Sequence, residues 1–547
     1  MKHTSLAAVA VATSALLSVT ASIGPASADQ PKPDQTRRSL GSSVPHDEAP
    51  VLPEASGSKP APVEALLDTA ESALGLPDAE QSSLGATTAP ADLTLILRDL
   101  NARRDEMTKS QRQRTARLLA RPTNSGSALL SKYKGGKERV RCTKHVCVHW
   151  ARKGVNRPAA KDKNHNSVPD WVETTSKTMK HVWRAEVTKR GYRAPRSDKS
   201  SKRHGPNGKL DIYLANLRSG YYGYCTTDDP KRGKHRAVSG YCVLDNDYKR
   251  SQFHTAPIKA LRVTAAHEFF HAVQFGYDWK EDSWLMEGTA VWMEEQVYDA
   301  INDNRQYLKV GSAHTAPWLP LDLIYYSNSE DTYHQPYGTW SFFQYLSEKK
   351  ALGRGIVHRI WNYADNSTAK KPGKYSLPAI KAALAAKGTS LTKMWAGYSA
   401  ANLRPKAFYS EGSAYPTAPS SSVSCAAAGC TLTVPELLHL SSWSAKLTIS
   451  GKQTLTVTPS VTGSSAFGVT ITTQTASGYK QKTSASGSST FTVDVTGVTN
   501  IWVTVANAGI RMNCHHGSPY SCKGKPLDDA TDGDSNDSIG TVKLAFA

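Results

Sequence analysis

Several things are scarce in this chain. No Cys-x-x-Cys pair occurs among its eight cysteines, which argues against a thiolate-ligated structural metal. No stretch reaches the roughly 18 consecutive apolar residues of a membrane-spanning helix, so no membrane span is expected. Acidic residues are outnumbered, 47 Asp and Glu against 67 Lys and Arg, giving a formal net charge of +20. A basic surface of that kind attracts anionic polymers such as cell-wall material. No fold-level nucleic-acid motif accompanies the charge, so nucleic acid is not expected as a partner, and plain solvated surface is the simpler account of it.

Among what is present, the first residues read as an export signal over 1–28. Lys2 and His3 open it, Ala7 to Val19 is small and apolar, and Ala26-Ser27-Ala28 fits a small-x-small cleavage site. The eight cysteines suit an oxidising destination. The sequence leaves their connectivity open, and nearest-neighbour pairing is the expectation: Cys142 with Cys147, Cys225 with Cys242, Cys425 with Cys430, Cys514 with Cys522. A secreted, extracellular monomer is expected.

Composition divides the rest. Residues 29–124 are rich in Pro, Ala and Ser, with a short amphipathic helix expected over Pro62 to Leu74 and a longer one over Ala91 to Ala120. They read as a propeptide or linker. Residues 125–415 place strands such as Val146-Cys-Val-His-Trp150, Leu210-Asp-Ile-Tyr-Leu214 and Gly240-Tyr-Cys-Val-Leu244 before a series of helices, an α+β pattern. Residues 416–547 change abruptly to Ser, Thr, Val and Gly with period-two alternation, as in Thr454-Leu-Thr-Val457 and Trp502-Val-Thr-Val505. Short, regularly spaced, half-buried strands indicate an all-β sandwich accessory domain.

The chemistry concentrates in His267-Glu268-Phe269-Phe270-His271. From Ile258 to Phe275 there is no Pro or Gly, and Leu261, Ala265, Phe269 and Val273 recur at helical spacing, with Pro257 as a start and Gly276 as a stop. Residues four apart on a helix share a face, so two imidazoles can hold one zinc ion with Glu268 beside them as a base. Glu287, in Trp284-Leu-Met-Glu-Gly-Thr-Ala290, supplies a third ligand and leaves a fourth position for water. Glu294 lies two turns beyond Glu287 on the same face, placed to orient a ligand histidine. The first cysteine is Cys142, so the N-terminal region cannot mask a zinc by thiolate, and any inhibition there is steric or uses another group.

These motifs resemble those of the gluzincin peptidases, whose second helix offers a glutamate within an Asn-Glu-Gly-x-Ala pattern; here Met286 stands in the Asn position. The aminopeptidase branch gives the nearest local form, though its glycine-rich amine-reading motif is missing. The resemblance implies a zincin-like domain in which His267, His271 and Glu287 bind zinc and Glu268 is the general base. Pro336-Tyr337-Gly338 loosely resembles the stretch carrying a transition-state tyrosine in that branch, which makes Tyr337 the candidate, with Tyr333 and His334 as neighbours. The expected substrate is a protein or peptide. Two other readings stand beside it: a catalytically silent binder of envelope polymers, and a zinc amidase acting on cell-wall peptides.

A second metal loop runs from Asp162 to Glu173. Asp162, Asn164, Asn166, Asp170 and Glu173 stand at positions 1, 3, 5, 9 and 12 with the Val168 carbonyl at 7, the ligand spacing of an EF-hand calcium loop. Ser167 replaces the usual glycine. The competing reading is local: Asp170 caps the following helix and Glu173 closes a capping box.

Overall fold

The computed structural model describes residues 63–76, 93–129, 133, 138–199, 205, 207–217, 221–229, 236–309, 311–322, 335–368, 373–448, 453–462, 466–510 and 538–547. Mixed α and β structure runs through it. Three helices come first: α1 (Val63–Ala73), α2 (Leu93–Ala102) and α3 (Lys109–Leu118). The single long helix expected over Ala91 to Ala120 is therefore two, because Thr108 restarts the chain with a capping box. Its hydroxyl accepts the Gln111 amide, and the Gln111 side chain accepts the Thr108 amide.

A five-stranded sheet follows, built from β1 (Glu138–Cys142), β2 (Val146–Ala151), β3 (Leu210–Ala215), β4 (Gly223–Thr226) and β5 (Tyr241–Asp245). Its order is β1-β2-β3-β5-β4, with β2, β3 and β5 parallel and β1 and β4 antiparallel at the two edges. Both faces are covered, so the central strands read as continuous apolar runs. Ile212, Leu214, Cys242 and Leu244 face one core with the main helices. Tyr213, Ala215, Tyr241 and Val243 face the other, shared with Leu66, Leu67, Leu97, Leu100 and Leu118 of the first three helices.

Beneath the first face lie α4 (Asp170–Trp183), continued by a π-helical segment Arg184–Lys189, then α5 (Pro257–Asp278) and α6 (Ser283–Tyr298). Gly276 does not stop α5 as expected. A helical glycine costs only about 1 kcal/mol, and Tyr277 and Asp278 beyond it are fully buried. Next come α7 (Gln335–Gly338) and α8 (Trp340–Glu348), then α9 (Ile356–Tyr363), α10 (Leu377–Ala385) and α11 (Leu391–Ala401). Gly288 lets α8 approach α6, since a β-carbon there would run into Thr339 and Phe343.

From Ser421 the elements among the described residues are all strands. One sheet has the order β11-β10-β13-β8-β6 and the other β12-β9-β14-β7. These comprise β6 (Ser421–Ser424), β7 (Gly429–Leu437), β8 (Ser442–Thr448), β9 (Thr454–Thr462), β10 (Phe467–Thr475), β11 (Gly478–Ser484), β12 (Phe491–Asp494), β13 (Asn500–Asn507) and β14 (Ser538–Phe546). Leu447, Val469, Ile471 and Val503 of the first sheet share one core with Leu432, Leu455, Val457 and Val542 of the second. The two sheets therefore pack face to face, and α11 lies against β10 and β13.

Three disulfides join Cys142 to Cys147, Cys225 to Cys242 and Cys425 to Cys430, the expected neighbour pairs. Cys514 and Cys522 lie outside the described residues. Among the described residues no helix is long and apolar enough to cross a membrane.

Candidate metal centre

Helix α5 carries His267, Glu268 and His271 beneath β4 and β5, and α6 packs beside it with Glu287 and Glu294. Helical periodicity sets both histidines on one face of α5, and that face meets Glu287 and Glu294 of α6. The ligand atoms of His267, His271 and Glu287 all lie within 4.8 Å of one another, and the three side chains are buried. Nε2 of His267 is 3.0 Å from Nε2 of His271. The Glu287 carboxylate is 3.2 Å from the first and 3.4 Å from the second.

The rims of the rings explain this convergence. Nδ1 of His267 is 2.7 Å from a Glu294 carboxylate oxygen, and Nδ1 of His271 is 2.7 Å from the Gln274 amide oxygen. Those acceptors hold the proton on each Nδ1 and leave each Nε2 lone pair pointing inward. Gln274 is held in turn, its amide donating to the Met286 carbonyl at 2.9 Å and to Thr289 Oγ1 at 3.1 Å. Two protons cannot both fit between nitrogens 3.0 Å apart. Apart from the two Nε2 atoms, neither Glu287 oxygen has a hydrogen-bond partner, and both are cut off from solvent.

The electrostatics ask for positive charge at the same point. Burial alone would raise the Glu287 carboxyl, but His271 and His267 hold it far below the usual carboxylate range. Without a cation the centre draws in a proton instead: burial would depress His267, yet Glu287 and Glu294 push it well above the ordinary imidazole value, so proton and metal compete for the same Nε2. Inward lone pairs and an orphaned carboxylate fit a divalent cation. Two nitrogens bound tetrahedrally at 2.0–2.1 Å sit about 3.3 Å apart, close to the spacing found.

Glu268 is buried on the same helix, and its Oε2 accepts a hydrogen bond from Thr94 Oγ1 at 3.3 Å. Gly223 on β4 permits the close approach, because a β-carbon there would lie 3.0 Å from Glu268 Cγ. Tyr337 sits on α7 against α6, half-buried and stacked on Tyr307 with ring centroids 5.0 Å apart. Tyr333 and His334 lie outside the described residues.

In the Asp162 loop, both Asp162 oxygens are engaged, one by the Asn166 amide at 3.2 Å and the other by the Ser167 amide at 2.8 Å. Glu173 reaches back to the amide groups of Asn164 and Asn166, at 3.1 and 2.8 Å, and to Arg141 at 2.9 Å. Ser167 takes φ of +66°, the left-handed conformation for which the sixth loop position favours glycine. The capping-box reading is not what forms. Pro169 occupies the cap position, and the Asp170 carboxylate accepts the Lys163 amide at 3.1 Å. The Val168 amide donates to Asn166 Oδ1 at 2.9 Å.

Sequence reasoning brought His267, His271, Glu287 and Glu294 together but missed Gln274 and Thr94. Gln274 was findable, three residues after His271 on one helical face. Thr94 was not, since it lies 174 residues from Glu268. No protein-family model matches the chain, and no curated protein sequence matches it. Among solved structures, the periplasmic inhibitor of g-type lysozyme PliG from Aeromonas hydrophila aligns at 12% identity. The alignment covers 23% of this chain and 96% of that one with a TM-score of 0.12, a likeness that carries no argument about fold or activity.

Proposed function

We propose that this protein is an exported zinc-dependent peptidase. The observation that carries the reading is the Nε2 pair of His267 and His271, 3.0 Å apart over a buried Glu287 carboxylate that has no partner besides those two rings. Two imidazoles and one carboxylate suit zinc, and three protein ligands leave a coordination position open, as catalytic rather than structural sites do. Bound there, zinc would supply Lewis acidity that acidifies water and polarises a carbonyl. The leader-like first residues and three disulfides support export.

The chain's own groups then have distinct tasks. Glu294 and Gln274 fix the ring orientations and keep both Nε2 atoms free to bind. Glu268, next to His267 but outside the His267–His271–Glu287 cluster, takes a proton from water at its carboxylate and returns it to the departing amine. Tyr337 is the candidate donor to the oxyanion. The Asp162–Glu173 loop is assigned to calcium in a supporting role.

The test is Glu268→Gln, which keeps size and removes the base. Hydrolysis of a peptide library should fall roughly 10³-fold while metal analysis still finds one zinc per chain. Unchanged, chelator-sensitive hydrolysis in that variant would remove Glu268 from the chemistry. A chain purified without zinc and indifferent to its addition would end the reading altogether.

A further inference from the structure

The N-terminal helices reach the centre itself. Every residue of α2 from Leu93 to Asn101 is buried, which is unusual for a short helix upstream of the domain it contacts. It lies along β4, an edge strand whose outer side pairs with no other strand among the described residues. An extended peptide adding to this sheet edge would occupy that side.

One hydroxyl joins the edge to the base. The Cys225 backbone amide on β4 donates to Thr94 Oγ1 at 3.0 Å, and the same hydroxyl donates to Glu268 Oε2 at 3.3 Å. One turn on, the buried Arg98 grips the start of the helix that carries Glu287. Its guanidinium donates to the Glu281 carbonyl at 2.9 Å and to Ser283 Oγ at 2.6 Å, and it pairs with the buried Asp99 at 2.7 Å. The opposite side of α2 packs Ile96, Leu97 and Leu100 into the core over Tyr213, Tyr224 and Tyr241.

We propose that α2 is an autoinhibitory plug. It fills the edge where substrate would pair and holds Glu268 through Thr94, so the intact chain is latent and displacement of α2 switches it on. The proposal rests on the peptidase reading of His267, Glu268, His271 and Glu287. It assigns residues 63–118 a regulatory role and makes no use of a thiolate, since the N-terminal helices contain no cysteine.

The experiment starts from the full-length, zinc-loaded chain. Brief trypsin treatment attacks the exposed Lys109, Arg112 and Arg117 of α3; trypsin inhibitor is then added, and quenched-fluorescent peptides report hydrolysis. Activity should rise roughly 100-fold or more as fragments containing Thr94 are lost by mass spectrometry, because an occluded site works only in the fraction of time it is open. Leu97→Asp, which puts a charge into the packed face of α2, should raise activity without any protease. The inference is overturned if intact and trimmed chains, both holding zinc, hydrolyse at one measurable rate. Failure of the peptidase reading overturns it too and looks different: no stoichiometric zinc, no hydrolysis by either chain, or a rise that survives Glu268→Gln.

Discussion

Of the places in this molecule that gather metal-type donors, the His267–His271–Glu287 centre and the Asp162–Glu173 loop solve the problem of concentrated lone pairs in opposite ways. Around His267, His271 and Glu287 the donors are buried and face one another. In the Asp162–Glu173 loop, positions 163–167 are exposed, and the oxygens are already answered by loop amides, two asparagine side chains and Arg141. Burial makes the difference. A carboxylate with no access to water must find a cation or hydrogen-bond donors, whereas an exposed loop can satisfy itself until a cation competes. Metal should therefore be integral to the first place and optional in the second.

Removing one carboxylate from each place gives the largest expected contrast. Glu287→Ala should purify without stoichiometric zinc and without hydrolysis, while Glu173→Ala should keep one zinc per chain by elemental analysis. Zinc retained in the first variant would break the comparison, because the inward-facing pair would then not need its carboxylate. A step smaller are the groups that hold the rings. Glu294→Gln and Gln274→Ala should each weaken zinc roughly 10–100-fold in competition with a chelator. If both left affinity unchanged, the hydrogen bonds at Nδ1 would be incidental to the inward direction of Nε2.

The difference between the two places was partly readable from sequence. Helical spacing alone was enough to join His267 to His271 and Glu287 to Glu294, because those relations are set within single helices. The strands Val146–Ala151, Leu210–Ala215 and Tyr241–Asp245 were legible as apolar runs buried on both faces. What escaped depends on contacts distant in sequence. The edge strand Gly223–Thr226 is four residues long and unremarkable until it meets β5. Thr94 means nothing until α2 is laid along that edge. The loop was legible as a ligand spacing, and what separates it from a helix cap is Pro169 at the cap position with the Asp170 carboxylate turned to the Lys163 amide.

Smaller again is the response of the loop to calcium. Calcium at about 100 times its dissociation constant should raise stability by about 2.7 kcal/mol, read as a higher melting temperature in the zinc-loaded chain. The same addition to Glu173→Ala should do nothing. Calcium that stabilised both equally would be acting elsewhere, and the loop would count as a self-satisfied turn.

Arg141 offers the finest test, because it is the loop's own resident cation. It stands 2.9 Å from Glu173 Oε1, the carboxylate at the twelfth loop position. The Glu173 carboxyl is held below its usual value, first by the Asn166 amide and also by Arg141. The Arg141 side chain is about two-fifths exposed, so solvent screens the pair and the effect of losing it is small. Calcium and Arg141 nevertheless compete for one oxygen. Arg141→Ala should tighten calcium binding severalfold by calorimetry while leaving zinc content and hydrolysis unchanged. Weaker calcium binding in that variant would mean the arginine positions Glu173 for the ion rather than standing in for it, and the loop would then be pre-organised in the way the buried centre is.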